Sequence, residues 1–171
     1  MGILHQGLQP NIPKDMEVVK LTAPFASELN ALWHSRLPFI HWSNIVRNRH
    51  YVCYGALHDW KYYACAIWSS PVNQNFDIDT VLELRRLAIA PLAPKYTATW
   101  ILGKMAKRIH AELPQIKRLI SYQDTEVHTG TIYKAANWTA TTETKFAPWN
   151  SSRHRNQPQS TANKIRWEYE V

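Results

Sequence analysis

The chain has 171 residues, with 20 Lys and Arg against 13 Asp and Glu, a formal charge of +7 and a pI near 9.5. That length suits a single domain around one core, and the basic excess fits a polyanionic partner such as double-stranded DNA, plain solubility being the simpler account. No apolar run approaches the roughly 20 residues that span a bilayer, and the N-terminus lacks a basic-then-apolar signal pattern, so a cytoplasmic protein with no membrane partner is expected. Two cysteines, Cys53 and Cys65, are too few for a disulfide scaffold and have no zinc-type spacing.

Residues 16–21 (Met-Glu-Val-Val-Lys-Leu) read as a first strand, after an irregular segment over 1–14. Thr22-Ala23-Pro24 starts a helix, Pro being tolerated in the first turn, with Phe25, Leu29, Leu32 and Trp33 at helical spacing and Pro38 as its stop. Ser43 is placed to cap a short second helix through about Arg49. Two runs rich in β-formers, 51–57 and 61–68, flank His58-Asp59-Trp60 and predict a hairpin. Pairing Leu57 with Lys61 would set Cys53 opposite Cys65, where two reduced thiols packed as small hydrophobes are favoured.

A polar loop over 69–79 leads to a long strand over 80–89, whose exit is marked by Pro91 and Pro94. The helix expected over 97–113 carries Ile101, Leu102, Met105, Ile109 and Leu113 on one face and Lys104, Lys107, Arg108 and Glu112 on the other. A strand over 116–122, a short helix over 130–136, and strands over 138–146 and 164–171 complete the order βααβββαβαββ. Strand–helix–strand units late in the chain imply at least one parallel pair, hence an α/β fold with a mixed sheet. The polar segment 147–163 contains Arg153-His154-Arg155, a basic cluster suited to clamping phosphates.

The most informative stretch is Gly130-Thr131-Ile132-Tyr133-Lys134-Ala135-Ala136-Asn137-Trp138, just after Ser121-Tyr122-Gln123-Asp124. With the element order, it resembles the GNAT acyltransferase superfamily, whose last short helix carries a tyrosine followed by a small residue and glycine. Asn137 stands where that glycine is usual, an inexpensive exchange if the position closes the helix in the left-handed region. The resemblance implies a single domain over 1–171, a central sheet splayed between two parallel strands with helices on both faces, and a tyrosine, Tyr133, that can protonate a departing CoA thiolate. One feature departs from it. The pyrophosphate loop of that superfamily is glycine-rich, so that backbone amides approach the anion, whereas residues 91–100 here have no glycine and two prolines. Acetyl-CoA is thus an implied cofactor that this stretch disfavours, and the donor stays open.

A narrower resemblance fits that departure. Leu84-Arg85-Arg86-Leu87, the proline-rich exit, Ser121-Tyr122-Gln123-Asp124 and residues 130–136 are similar to the Mom family of bacteriophages. The resemblance covers roughly residues 30–140. It implies addition of a methylcarbamoyl (acetamido-type) group to adenine N6 in double-stranded DNA, which protects phage DNA from host restriction. It implies a site of Arg86, Asp124 and Tyr133, with Ser121 and Arg85 as further candidates. His34-Ser35 matches a His-Tyr pair of that family without its tyrosine. A conventional acetyl-CoA-dependent N-acetyltransferase acting on a small amine or protein is the alternative.

Each site residue has two readings. Asp124 orients the adenine amino group, accepts its proton, or joins His34 and Tyr133 in an iron site; otherwise it caps a tight turn. Tyr133 is an acid, ligand or hydrogen-bond donor, or a packed aromatic. Arg86 was placed on the face of Leu84 and Ala88, with Arg85 taking its role if the register slips by one. Lys104, Lys107 and Arg108 are the second DNA-binding candidate beside Arg153, His154 and Arg155, and Tyr54, Trp60, Trp68 and Trp149 are aromatics able to stack a base. The oligomeric state is open, a homodimer included. If the site is real, Arg86, Asp124 and Tyr133 should converge where the parallel strands part.

Overall fold

The structure is a computed structural model, and it describes residues 11–34, 37, 39–145 and 162–171. Seven strands form one sheet: β1 (Glu17–Leu21), β2 (Tyr51–His58), β3 (Lys61–Ser69), β4 (Val81–Ile89), β5 (Arg118–Asp124), β6 (Thr139–Thr144) and β7 (Lys164–Glu170). Their spatial order is β1-β2-β3-β4-β5-β7-β6. Helices α1 (Ala23–Trp33) and α2 (Trp42–Val46) lie on one face, α3 (Thr97–Glu112) and α4 (Thr131–Ala135) on the other. The order of elements is the one the sequence predicts. Among the described residues no helix is long and apolar enough to cross a membrane.

β4 and β5 are the parallel pair, and they are hydrogen-bonded only from Val81↔Arg118 to Leu84↔Ser121. Beyond that point each strand continues without the other, so the sheet is split at the C-terminal ends of both. The cause is local. The β3–β4 register passes from Trp68↔Leu84 to Ile67↔Arg86, leaving Arg85 without a cross-strand partner. Such a bulge adds twist and bends its strand, and here it turns β4 away from β5.

Two apolar clusters flank the sheet. Tyr54, Trp68, Leu82, Leu84, Ile101, Leu102, Met105, Ile109 and Leu119 pack under α3, with Tyr133, Trp138 and Trp167 in the same cluster. Ala23, Ala26, Leu29, Ile45, Cys53, Cys65 and Ile67 pack under α1 and α2. Three local expectations are corrected. The α2 cap is the His41 ring, which accepts the Ser43 amide, rather than Ser43 itself. Helix α1 ends at Trp33, with the His34 amide on Asn30, before Pro38, which lies outside the described residues. A bulge at Ala56/Leu57 shifts the hairpin, so Cys53 faces Ile67 and Cys65 faces Gly55. The thiols are diagonal neighbours on one face and both are free.

Burial pushes the Cys53 thiol up to about 12 and the Cys65 thiol higher. Because the thiolate is the reactive form, neither cysteine should react with an aromatic disulfide reagent at pH 8 in the folded protein. Both should react at once in guanidinium chloride. Release of two thiol equivalents before unfolding would show that the α1 face opens in the native state.

Candidate active site at the split between β4 and β5

Strand β5 sets the geometry. Side chains alternate along it, so Leu119, Ser121 and Gln123 face α3 and α4, while Ile120, Tyr122 and Asp124 face the α1 side. The Ser121 Oγ lies 2.8 Å from the Tyr133 hydroxyl, at the last paired position before the strands part. Tyr133 is buried. Its ring stacks on Trp167 at 5.4 Å with a 13° interplanar angle, and meets Trp138 edge-on at 5.7 Å. Burial raises its pKa and the Ser121 hydrogen bond only partly opposes this, so the phenol holds its proton at neutral pH.

The α4 turn that presents Tyr133 is fixed at both ends by its sequence. Gln123, buried, donates from Nε2 to the His128 carbonyl and accepts the Trp167 indole N–H at 2.7 Å through Oε1. This ties the 125–129 loop to the sheet. Gly130 begins the helix at φ 76, and a Cβ there would sit 2.6 Å from Gln123 Oε1 and 2.7 Å from Trp167 Cζ2. At the other end Asn137 has φ 64, the left-handed closure expected of it, and the Trp138 amide returns to the Tyr133 carbonyl at 2.9 Å.

The opposite face carries ions. Because of the bulge, Arg86 pairs with Ile67 and shares the α1 face with Ala88, not with Leu84, which pairs with Trp68 toward α3. This corrects the expected register. Arg85 reaches the same α1 face, with its Nε 3.5 Å from Glu83 Oε1 and Nη1 3.3 Å from Ser69 Oγ. Glu83 is buried, and burial raises its pKa despite an amide bond from Val72 and the nearby Arg85, Arg86 and Lys164 charges. Burial, then the Arg85 charge, lower Arg86 to about 10. His34, just past α1, is held below its ordinary value by burial, then by the Arg86 and His128 charges.

Asp124 stands beside Lys164 on this α1 face, and its Oδ1 accepts the Glu126 amide at 3.0 Å. The turn-capping role is therefore real. Convergence of Arg86, Asp124 and Tyr133 in one pocket is not what the sheet shows: Arg86 and Asp124 lie on one face of the split, Ser121 and Tyr133 on the other, because Asp124 is three positions past Ser121 in a two-residue repeat. The iron set of His34, Asp124 and Tyr133 does not fit for the same reason, and among the described residues no three His, Cys, Asp or Glu side chains gather as a metal site. Glu83, Gln123 and Trp167 were missed by the sequence reading. A buried Glu and Gln on predicted strands, each needing a partner, were the available signal.

The remaining candidates divide. Arg108 is committed internally: Nε and Nη2 donate to Glu112 Oε1 at 3.0 and 2.7 Å, and Nη1 to the Val18 carbonyl. Lys104 and Lys107 are exposed on the same helix. Arg153, His154, Arg155 and Trp149 lie outside the described residues. Tyr54 and Trp68 are fully buried core, whereas Trp60 is 94% exposed at the hairpin tip. The turn before α3 is tight, with Tyr96 at φ 69 and the Thr97 amide and hydroxyl both on the Pro94 carbonyl. Pro91 and Pro94 contribute no amide, so the residues present do not form a glycine-lined pyrophosphate cradle.

A parallel pair opened into a split, with a tyrosine-bearing short helix at its apex, is the architecture of GNAT acetyltransferases. The ribosomal-protein-S18-alanine N-acetyltransferase from Escherichia coli is similar at 13% identity, a TM-score of 0.58, and coverage of 91% of this chain and 94% of that one. A GNAT acetyltransferase from Streptococcus pneumoniae gives 8%, 0.63, and 92% and 99%. A GNAT acetyltransferase from Elizabethkingia anophelis with acetyl-CoA bound gives 16%, 0.57, and 93% and 100%. The sequence has no significant match among curated protein sequences. Within that fold the chain belongs to the Mom protein family, whose model it matches over residues 37–169.

The α4 start yields a direct check. Gly130→Ala adds a left-handed penalty of about 1–2 kcal/mol to a clash with Gln123 and Trp167, so its urea midpoint should fall by at least that equivalent. Asn137→Gly, at a left-handed position that meets no such wall, should stay within about 0.5 kcal/mol of the parent. Equal stability of Gly130→Ala would show that α4 does not dock as described.

Proposed function

We propose that this protein is a group transferase that places a methylcarbamoyl (acetamido-type) group on N6 of adenine in double-stranded DNA and so protects that DNA from restriction. Membership of the Mom family over a span that includes both edges of the split is the observation that carries this reading. The +7 charge supports a DNA partner. Adenine N6 inside a duplex is paired and stacked, so the base must be extruded before it can react. Its exocyclic amine is a weak nucleophile, and bond formation to the donor carbon must be coupled to loss of an N6 proton and protonation of the leaving group.

One of those two proton movements has a group in place. Tyr133, protonated and oriented by Ser121, is the proton donor to the leaving group. Asp124 lies on the other face with its Oδ1 on the Glu126 amide, so the acceptor of the N6 proton is left unassigned. Arg86, beside an Arg85 held by Glu83, is the cation proposed to meet a phosphate or a developing oxyanion. The donor is left unassigned, because the turn before α3 does not supply the glycine-lined amides that would hold a CoA pyrophosphate. The fold itself favours the alternative, an acetyl-CoA-dependent N-acetyltransferase, since a neighbour of this fold has acetyl-CoA bound.

Nucleoside mass spectrometry of plasmid DNA from expressing bacteria tests the proposal. The parent should yield an adenine adduct. Tyr133→Phe and Ser121→Ala should each reduce it by about 10²-fold or more, with stability changed by only about 1 kcal/mol, the scale of one hydrogen bond. Unmodified DNA together with saturable acetyl-CoA binding would move the assignment to the alternative.

Binding to duplex DNA should be sequence-tolerant and weaken steeply with salt. Arg153→Ala combined with Arg155→Ala should lower the log–log salt slope by up to about two. An unchanged slope would transfer the phosphate contacts to other cations, Lys104 and Lys107 first.

A further inference from the structure

Three aromatic rings at the connection from α1 into α2 are unused by the roles above. Phe39 is 51% exposed and Trp42 43% exposed, and the exposed His41 ring lies between them. The Phe39 and His41 rings meet edge-on at 6.2 Å, and the His41 and Trp42 rings are 5.4 Å apart at 35°. The ladder is held from beneath. His41 Nδ1 accepts the Ser43 amide at 3.2 Å as the cap of α2, the Ser27 hydroxyl donates to the Ile40 carbonyl, and Ile45 is buried against the α1 cluster. Its position follows from the chain. The Leu37 amide meets His34 Nδ1 at 3.4 Å, and Phe39 is two residues further, at most about 7 Å along an extended chain.

The electrostatic setting selects the occupant. Between Glu28 and Asp59 the sequence has no Asp or Glu, while it holds Arg36, Arg47, Arg49 and four histidines. Arg49 is paired with Asp79 at 2.7 Å. Arg47 is exposed one residue past α2 and has no ion pair among the described residues. Pre-ordered aromatic faces beside the Arg47 cation, on a segment with no carboxylate of its own, suit unpaired nucleobases on a phosphate backbone: every base has a π-face, and the ring ladder binds it without reading its edge.

We propose that the Phe39–His41–Trp42 ladder is a stacking platform for unpaired nucleobases of DNA, engaging the strand opened when the target base is extruded, with Arg47 on its phosphate. This rests on the DNA-modification reading. It predicts a specific contrast between two probes, a fully paired duplex and the same duplex with a short single-stranded gap, followed by fluorescence anisotropy. Phe39→Ala with Trp42→Ala should weaken binding of the gapped duplex by about tenfold or more, the scale of one lost base–aromatic stack, and of the paired duplex by less than about threefold. Trp42→Phe, which keeps a ring, should retain most of the affinity and guards against misfolding of the double variant. 2-Aminopurine placed in the gap should be quenched by the parent and not by the double variant.

Equal loss on both probes, no loss on either, or unchanged quenching overturns the platform. If the double variant instead changes the sedimentation of the free protein and leaves DNA binding intact, the ladder is a contact between two copies of the chain and the proposal is wrong. A parent that binds neither probe at low salt brings down the DNA-modification reading and the platform with it. A parent that binds both, with the variant unaffected, removes the platform alone.

Discussion

The site depends on one extra residue in β4. Leu82 and Leu84 point into the α3 cluster by ordinary alternation, and without a bulge Arg86 would follow them there, an unpaired charge in an apolar layer. The bulge at Arg85 resets the phase. Leu87 then returns to the α3 side, while Arg85 and Arg86 both join Glu83 on the α1 side. The same distortion bends β4 away from β5 after four paired residues. A single irregularity thus opens the sheet and lines one wall of the opening with cations.

The two walls are chemically different, and each is stabilised in its own way. On the α4 side the polar atoms are hydroxyl, amide and indole groups bonded to one another. Ser121 meets Tyr133, and Gln123 joins Trp167 to the His128 carbonyl. Burial within this neutral network holds the phenol in its protonated form. On the α1 side the groups are ionic. Glu83 is buried with Arg85 nearby, and burial, then the Arg86 and His128 charges, hold His34 below its ordinary value. A wall that concentrates positive charge at the surface invites an anion from outside.

The fold is shared with acetyltransferases, yet fold does not dictate donor. What distinguishes this chain is the turn between β4 and α3. Pro91 and Pro94 lack amides, the Thr97 amide is taken by the Pro94 carbonyl, and Tyr96 occupies a left-handed position without glycine. A helix N-terminus still follows, but its approach is reshaped. This chain combines the split and the tyrosine helix with a turn before α3 that has no glycine-lined amides.

Element order, the parallel pair, the α3 face and the αL closure at Asn137 were legible in the sequence, because they depend on local propensity, hydrophobic period and residues that tolerate positive φ. The motif around Tyr133 was legible for the same reason, and it led to Ser121 as well. Register was not. Bulges at Arg85 and at Ala56/Leu57 decided that Arg86 leaves the Leu84 face and that the two cysteines are not opposite each other. Nor did the sequence show that His41 rather than Ser43 caps α2, that Arg108 bonds Glu112 and Val18, or that Asp124 and Tyr133 take opposite faces of β5. A strand repeats every two residues, so one inserted residue exchanges the faces of everything beyond it. Local composition determined which elements form, and only the packing of β4 between β3 and β5 decided which side chains meet at the split.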